Sequence, residues 1–148
     1  MFHTIYLGLG SNLGQKRRNL KRAILKIQEL IGTVECQSAF YVSSPWGTFD
    51  SKDAPSFINA VVRCSTQLSP REVLNAAQHI EQQMGKRAQS RKDRDGKLLE
   101  GQTYHNRVID IDILLYDDLH IDEPDLQIPH PLMQERDFVM IPLREVLL

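Results

Sequence analysis

The run Arg107-Val108-Ile109-Asp110-Ile111-Asp112-Ile113-Leu114-Leu115-Tyr116 decides the fold. Ile109, Ile111, Ile113 and Leu115 occupy one parity, Asp110 and Asp112 the other. Side chains on a strand change face at every residue, so the alternation predicts a half-buried strand with both carboxylates on one side. There the two anions stand roughly 7 Å apart and repel each other unless a cation lies between them. Carboxylate oxygens are what magnesium accepts, usually one or two per ion, with water and substrate phosphates completing the octahedron. The adjacent Arg107 points to a phosphate as the anionic partner. The plain alternative is a solvent-facing strand whose polar side is acidic, since Asp is depleted in strands but not forbidden there.

Working outward, Thr4 to Leu9 reads as a short strand that ends in Gly8, Gly10 and Gly14. A helix follows from about Lys16 to Ile31, with Leu20, Ile24 and Ile27 at three-to-four spacing and Gly32 as its stop. Val34 to Tyr41 is predicted as one strand, and Ser43 to Pro55 as a loop. Phe57 to Thr66 alternates again: Phe57, Asn59, Val61 and Arg63 share one face, Ile58, Ala60, Val62 and Cys64 the other. Ser69-Pro70-Arg71-Glu72 is a capping box with proline at the first helical position. Val73, Leu74, Ala77, Ile80 and Met84 then make one apolar stripe, closed by Gly85. Asp117-Asp118 makes a turn after the acidic strand, and the remainder reads as loop plus a short helical end.

Strand, helix, strand, strand, helix, strand is the α+β, ferredoxin-like βαββαβ arrangement. Two helices on one face of an antiparallel sheet leave the other face open. The isoleucines must be buried under the helices, so Asp110 and Asp112 look out from the open face, shared with Phe57 and Asn59. A site assembles there.

At 148 residues the chain is read as one domain, 1–148. Its charged fraction of 25% and formal net charge of −1 argue against a general nucleic-acid surface. No apolar run reaches membrane-spanning length, and the first fourteen residues lack a signal-type pattern. Cys36 and Cys64 have no ligand spacing and read as small apolar fillers in a reducing compartment. A cytoplasmic protein is expected, without nucleic-acid or membrane partners.

Four segments in order, Gly10-Ser11-Asn12-Leu13-Gly14, Phe57-Ile58-Asn59-Ala60, Arg107 to Leu114, and Pro129-His130-Pro131 with Glu135-Arg136-Asp137-Phe138-Val139, resemble the 6-hydroxymethyl-7,8-dihydropterin pyrophosphokinase family. The resemblance spans residue 4 to about residue 143. It implies transfer of diphosphate from ATP to a pterin alcohol, with release of AMP, in folate biosynthesis. It makes Asp110 and Asp112 the ligands of two magnesium ions on the ATP phosphates, as suits in-line transfer. Lys86 and Arg107 join them as catalytic cations. ATP contacts are implied at Gln78, Glu81, Arg107, Ile113, His130 and Arg136. For the pterin the resemblance implies Ser43, Pro45 and Trp46, the stacking pair Phe57 and Phe138, and Asn59 as reader of the ring edge. The glycine-rich turn near residue 10 lacks the ending of a phosphate cradle and is expected to be structural.

The chain departs from the family pattern in two places. Gly85-Lys86-Arg87-Ala88 stands where many members carry Gly-Arg-x-Arg, and Lys86 keeps charge without a bidentate fork. The segment before Tyr104-His105-Asn106-Arg107 is also longer than usual and rich in charge. It predicts a mobile loop at about 86–103 that closes over ATP as a lid, the alternative being an inert surface insertion. The rival readings are a ferredoxin-like metal- or ligand-binding module without turnover, and a magnesium-dependent transferase with another acceptor.

Overall fold

A computed structural model describes residues 1–43, 56–85 and 108–148. The predicted loop at 86–103, and with it the lid, lies outside the described residues. The chain runs β1 (His3–Ser11), α1 (Lys16–Leu30), β2 (Thr33–Gln37), β3 (Tyr41–Ser43), β4 (Phe57–Thr66), α2 (Pro70–Gln83), β5 (Asp110–Tyr116), β6 (Ile121–Glu123), β7 (Leu126–Ile128) and α3 (Asp137–Val146). One antiparallel sheet has the order β2-β4-β1-β5, with β3 also pairing β4, and β6-β7 form a separate hairpin. With β2 and β3 as two halves of one strand, this is the expected ferredoxin-like order.

The helices sit where their periodicity places them. Leu20, Ala23 and Ile27 of α1 and Val73, Ala77, Ile80 and Met84 of α2 pack with Ile5, Leu7, Leu9, Ile58, Val62, Cys64, Ile111 and Ile113 in the main core. The capping box of α2 is complete: Glu72 N–H donates to Ser69 Oγ at 3.2 Å, and Ser69 N–H to Glu72 Oε1 at 2.9 Å. These bonds hold the Glu72 carboxyl below its ordinary pKa. At the start of α1 no side chain caps the helix; Asn19 instead ties the glycine-rich turn, donating to Leu13 O at 2.8 Å and Ser11 Oγ at 3.2 Å. These two bonds hold the turn in place from within the protein. Gly32 ends α1 for a reason of space, because a Cβ there would lie 2.1 Å from Ser65 O.

Four expectations change. The strand predicted over 34–41 breaks into β2 and β3 at Ser38. There the backbone N–H still donates to Val61 O at 2.9 Å, while the Ser38 hydroxyl accepts Val61 N–H at 2.9 Å in place of a carbonyl. Second, the alternation of β5 does not reach Leu115. Tyr6 faces Leu115 and Leu7 faces Ile113, so Leu114 is an extra residue in a bulge. Past it the faces exchange, Leu114 and Leu115 packing away from the helices and Tyr116 into the main core. Third, the predicted loop after residue 118 contains the β6-β7 hairpin, and the helical end is a ten-residue α3.

Fourth, the second face of the sheet is not wholly open. α3 lies across one end, where Leu143 and Val146 pack with Tyr6, Val61, Leu114 and Met133. Polar ties hold it there: Arg63 Nη1 donates to Val146 O at 2.6 Å, and Ala39 N–H to Glu145 Oε1 at 3.0 Å.

Candidate active site

The site begins with two glycines. Gly10 of β1 pairs with Asp110 on one side and Asn59 on the other; Gly8 pairs with Asp112 and Val61. Directly opposed residues of an antiparallel sheet point to the same side, so these residues share the second face, Val61 in the cluster beneath α3 and Gly10, Asp110 and Asn59 toward the other end. A Cβ at Gly10 would lie 3.3 Å from Asn59 Oδ1 and 3.6 Å from Phe57 Cδ1. Glycine therefore keeps a bare floor between the carboxylates and the aromatic side.

Asp110 and Asp112 are both half-buried, while Ile109, Ile111 and Ile113 are buried on the opposite face. The predicted division of faces holds through Ile113. Among the described residues the two aspartates stand as a pair, with no gathering of three or more His, Cys, Asp or Glu side chains around a point. Two carboxylates are the donor count that suits magnesium when phosphates and water complete its shell.

Asn59 is 5% exposed, and its Nδ2 donates to Tyr41 O at 3.2 Å and to Ser43 Oγ at 2.8 Å. Both amide protons are thus used inside the protein, which turns Oδ1 over Gly10 as an acceptor. The sequence reading expected both a donor and an acceptor of Asn59 for the site; here Nδ2 is engaged by Tyr41 and Ser43, and Oδ1 is the atom that lies over Gly10. Ser43 acts on the site through this bond. Phe57 is half-buried on the same face, as its parity predicted.

The far wall comes from the end of the chain. After the cis Ile128–Pro129 bond, His130 N–H donates to Leu114 O at 3.1 Å, tying the segment to the bulge of β5. Burial, then the Arg136 cation, push the His130 pKa below its ordinary value, while Asp110 pulls the other way. These three groups therefore share one electrostatic environment. The guanidinium carbon of Arg136 sits 5.7 Å from the ring centre of Phe138, which starts α3 and is half-buried.

Beside the aspartates a cleft of about 300 Å³ opens along the outer edge of β5, lined by Leu74 of α2, Ile111, Asp112, Ile113, Gln127 and His130 among others. Amides alternate direction along an antiparallel strand, so Ile111 and Ile113 turn their N–H and C=O groups outward, toward this cleft. Gln78 is exposed one turn beyond Leu74 on the same helix face. Glu81, grouped with Gln78 from the sequence, differs: it is 3% exposed and accepts the Ile111 N–H at 2.8 Å. The hairpin wall is braced from outside by Arg71, which binds Glu123 and, at 2.6 Å, Asp125.

Lys86, Arg107, Pro45 and Trp46 lie outside the described residues. Sequence reasoning missed Leu74, assigned wholly to the core stripe, and the β7 wall at Leu126 and Gln127. The turn residues Pro124-Asp125 before the alternating Leu126-Gln127-Ile128 were the available signal.

The chain matches the family model described as 7,8-dihydro-6-hydroxymethylpterin-pyrophosphokinase (HPPK) over residues 6–148. It is similar to the 2-amino-4-hydroxy-6-hydroxymethyldihydropteridine pyrophosphokinase of Porphyromonas gingivalis, with 40% identity over 143 residues covering 96% of this chain and 89% of that protein. The protein of the same name from Aquifex aeolicus is 36% identical over 143 residues, covering 97% and 79%. Among solved structures, wild-type Plasmodium falciparum HPPK-DHPS with pteroate has a TM-score of 0.69 at 15% identity, over 97% of this chain and 38% of that one. That likeness concerns the fold alone.

Proposed function

This chain belongs to the 7,8-dihydro-6-hydroxymethylpterin-pyrophosphokinase family, and from that premise we propose that it transfers diphosphate from ATP to the hydroxymethyl oxygen of 6-hydroxymethyl-7,8-dihydropterin in folate biosynthesis. The observation that carries the reading is the row Asp110, Gly10, Asn59 across three strands. It sets metal-type oxygen ligands on one side of a side-chain-free floor and a ring-edge acceptor with an aromatic face on the other.

The acceptor's flat ring stacks on Phe57 and Phe138, and Asn59 Oδ1 accepts a hydrogen bond from a ring-edge N–H. ATP occupies the cleft along β5, its base against Leu74 and the outward backbone of Ile113, with Gln78 at the rim. His130 and Arg136 face the phosphates. Asp110 and Asp112 would hold magnesium, whose charge offsets that of the phosphates when it is bound. The hydroxymethyl oxygen bonds to the β-phosphorus as the bridge to the α-phosphorus breaks; AMP leaves and the hydroxyl proton passes to solvent. No side chain of the described site is placed as a general base, so the residues act chiefly by positioning the two reactants.

A coupled assay for AMP tests the reading. AMP release should require ATP, magnesium and the dihydropterin alcohol together, with the pterin diphosphate formed in equal amount. No AMP would return the chain to a binding module. AMP without the pterin would make it a hydrolase, and AMP with another alcohol in its place would reassign the acceptor.

A further inference from the structure

Glu81 puts a buried carboxylate beside a cleft assigned to a polyanionic nucleotide. Burying that charge is costly unless hydrogen bonds offset it, and it would repel phosphates rather than attract them. At 3% exposure its Oε2 accepts the N–H of Ile111 at 2.8 Å. Ile111 is the residue between Asp110 and Asp112.

That amide needs a partner for a topological reason. β5 is the last strand in the sheet order, so its outer row of amides faces no further strand among the described residues. Edge strands are where a sheet frays or slips, and a slip of one residue would send both aspartates to the wrong face. The stretch at risk is short. From Asp110 to Ile113 the strand pairs with Gly10, Leu9, Gly8 and Leu7, and the bulge at Leu114 then shifts the register. On the site face the two directly opposed β1 residues are Gly10 and Gly8, which bring no side chains of their own to the pairing. The bare floor that admits the reactants also weakens the strand that carries the ligands.

We propose that Glu81 is a positioning residue that fixes the Asp110–Asp112 pair by pinning the Ile111 amide on the outer edge of β5. It acts on the reaction through the strand, not through the nucleotide. The inference deepens the pyrophosphokinase reading and rests on it for the role of the aspartates; the pinning itself is a property of the chain without substrates.

Two variants test it: Glu81→Met removes the acceptor while filling similar space, and Glu81→Gln keeps an acceptor oxygen at the same reach. In nitrogen-15-labelled protein without nucleotide, hydrogen exchange at Ile111 should speed by about tenfold or more in Glu81→Met and change little in Glu81→Gln. The magnesium concentration for half-maximal AMP release should rise several-fold in Glu81→Met, and Glu81→Gln should recover most of that loss. Unchanged exchange in Glu81→Met overturns the proposal. So does a Glu81→Gln protein that raises the KM for ATP with Ile111 still protected, because the charge would then be meeting the nucleotide directly. Should Glu81→Met fail to fold, Glu81→Gln alone decides, by keeping or losing Ile111 protection. A wild-type protein that releases no AMP would remove the functional reading, while the exchange comparison would still judge the pinning.

Discussion

The second face of the sheet has two ends built on opposite plans, and β1 passes through both. At one end β1 contributes Tyr6, which packs with Val61 and Leu114 beneath Leu143 and Val146 of α3. At the other it contributes Gly10, whose missing side chain leaves a floor bordered by Asn59 and Phe57 between Asp110 and Asn59. One end is closed by burial, the other kept clear by the absence of side chains. The covered end also serves the bare one, since α3 carries Phe138 at its first turn and is seated by its far end. Stability and function are therefore divided along a single strand.

The contrast is tested most severely at the aspartates. Asp110→Ala and Asp112→Ala should each lower AMP release by about a thousandfold or more. Stability should change by no more than about 1 kcal/mol, since the side chains lie outside both hydrophobic clusters. Urea unfolding beside the coupled assay reads both, and loss of folding in both variants would make the aspartates structural. At the covered end the pattern reverses. Leu143 is 2% exposed, and Leu143→Ala should cost about 2–5 kcal/mol of stability. Some weakening of pterin binding should follow, because the seat of Phe138 loosens. A stability loss well under 1 kcal/mol would mean that α3 is not anchored by its buried face.

Gly10→Ala sharpens the comparison, since its two effects should differ in size. Glycine within a strand costs roughly 0.5–1 kcal/mol relative to alanine, a backbone gain that the tight contact with Asn59 Oδ1 should about offset, leaving stability within about 1 kcal/mol of the parent. Its new methyl group would meet Asn59 Oδ1 at 3.3 Å and occupy the floor, weakening binding of the dihydropterin alcohol by about tenfold. Titration calorimetry measures this, and unchanged affinity would show that the floor is not where the ring lies.

The smallest effect concerns pH. The His130 pKa is lowered from its ordinary 6.5 in the folded protein, so on acidification the unfolded chain takes up a proton before the folded one does. Stability should accordingly fall as the pH drops through about 6.5 and below, until the folded imidazole also protonates. His130→Asn should flatten that part of the profile. Urea midpoints at pH 7.5 and 5.5 give the slope, and a variant with the parent's full slope would assign it to another group.

Most of the fold is legible in the sequence where a pattern has one physical cause. β4 begins at Phe57 and ends at Thr66 as its alternation predicts, and α2 opens where Ser69 and Glu72 reciprocally cap it. Asp110 and Asp112 share a face because Ile111 must be buried between them. Patterns fail where a tertiary contact replaces the local rule. The Ser38 hydroxyl stands in for a carbonyl and splits a strand, and an extra Leu114 exchanges the faces of β5. In neither case does the residue type mark the event. The alternation of the three-residue β7 stands out only when the Pro124-Asp125 turn before it is weighed, and passing over that turn hid one wall of the cleft. The helical end of the chain was visible, but its seat was not, because amphipathicity says that α3 must be covered without saying by what. Glu81 is the sharpest instance: the family resemblance put it among the ATP contacts, whereas its carboxylate turns to the Ile111 N–H of β5, a tertiary contact that no local pattern announces.

The two cysteines give the molecule a pair of internal clocks. Cys64 lies in the main core with its thiol pushed up to about 12 by burial, then by the charge of Glu35. As the reactive form is the thiolate, alkylation there waits for the whole core to open. Cys36 is half-buried against the cluster beneath α3, so its thiol becomes reachable with far less opening, most readily when that helix lifts. A single thiol reagent would thus register departure of α3 first and global unfolding later, separating the seat of Phe138 from the sheet that bears the aspartates.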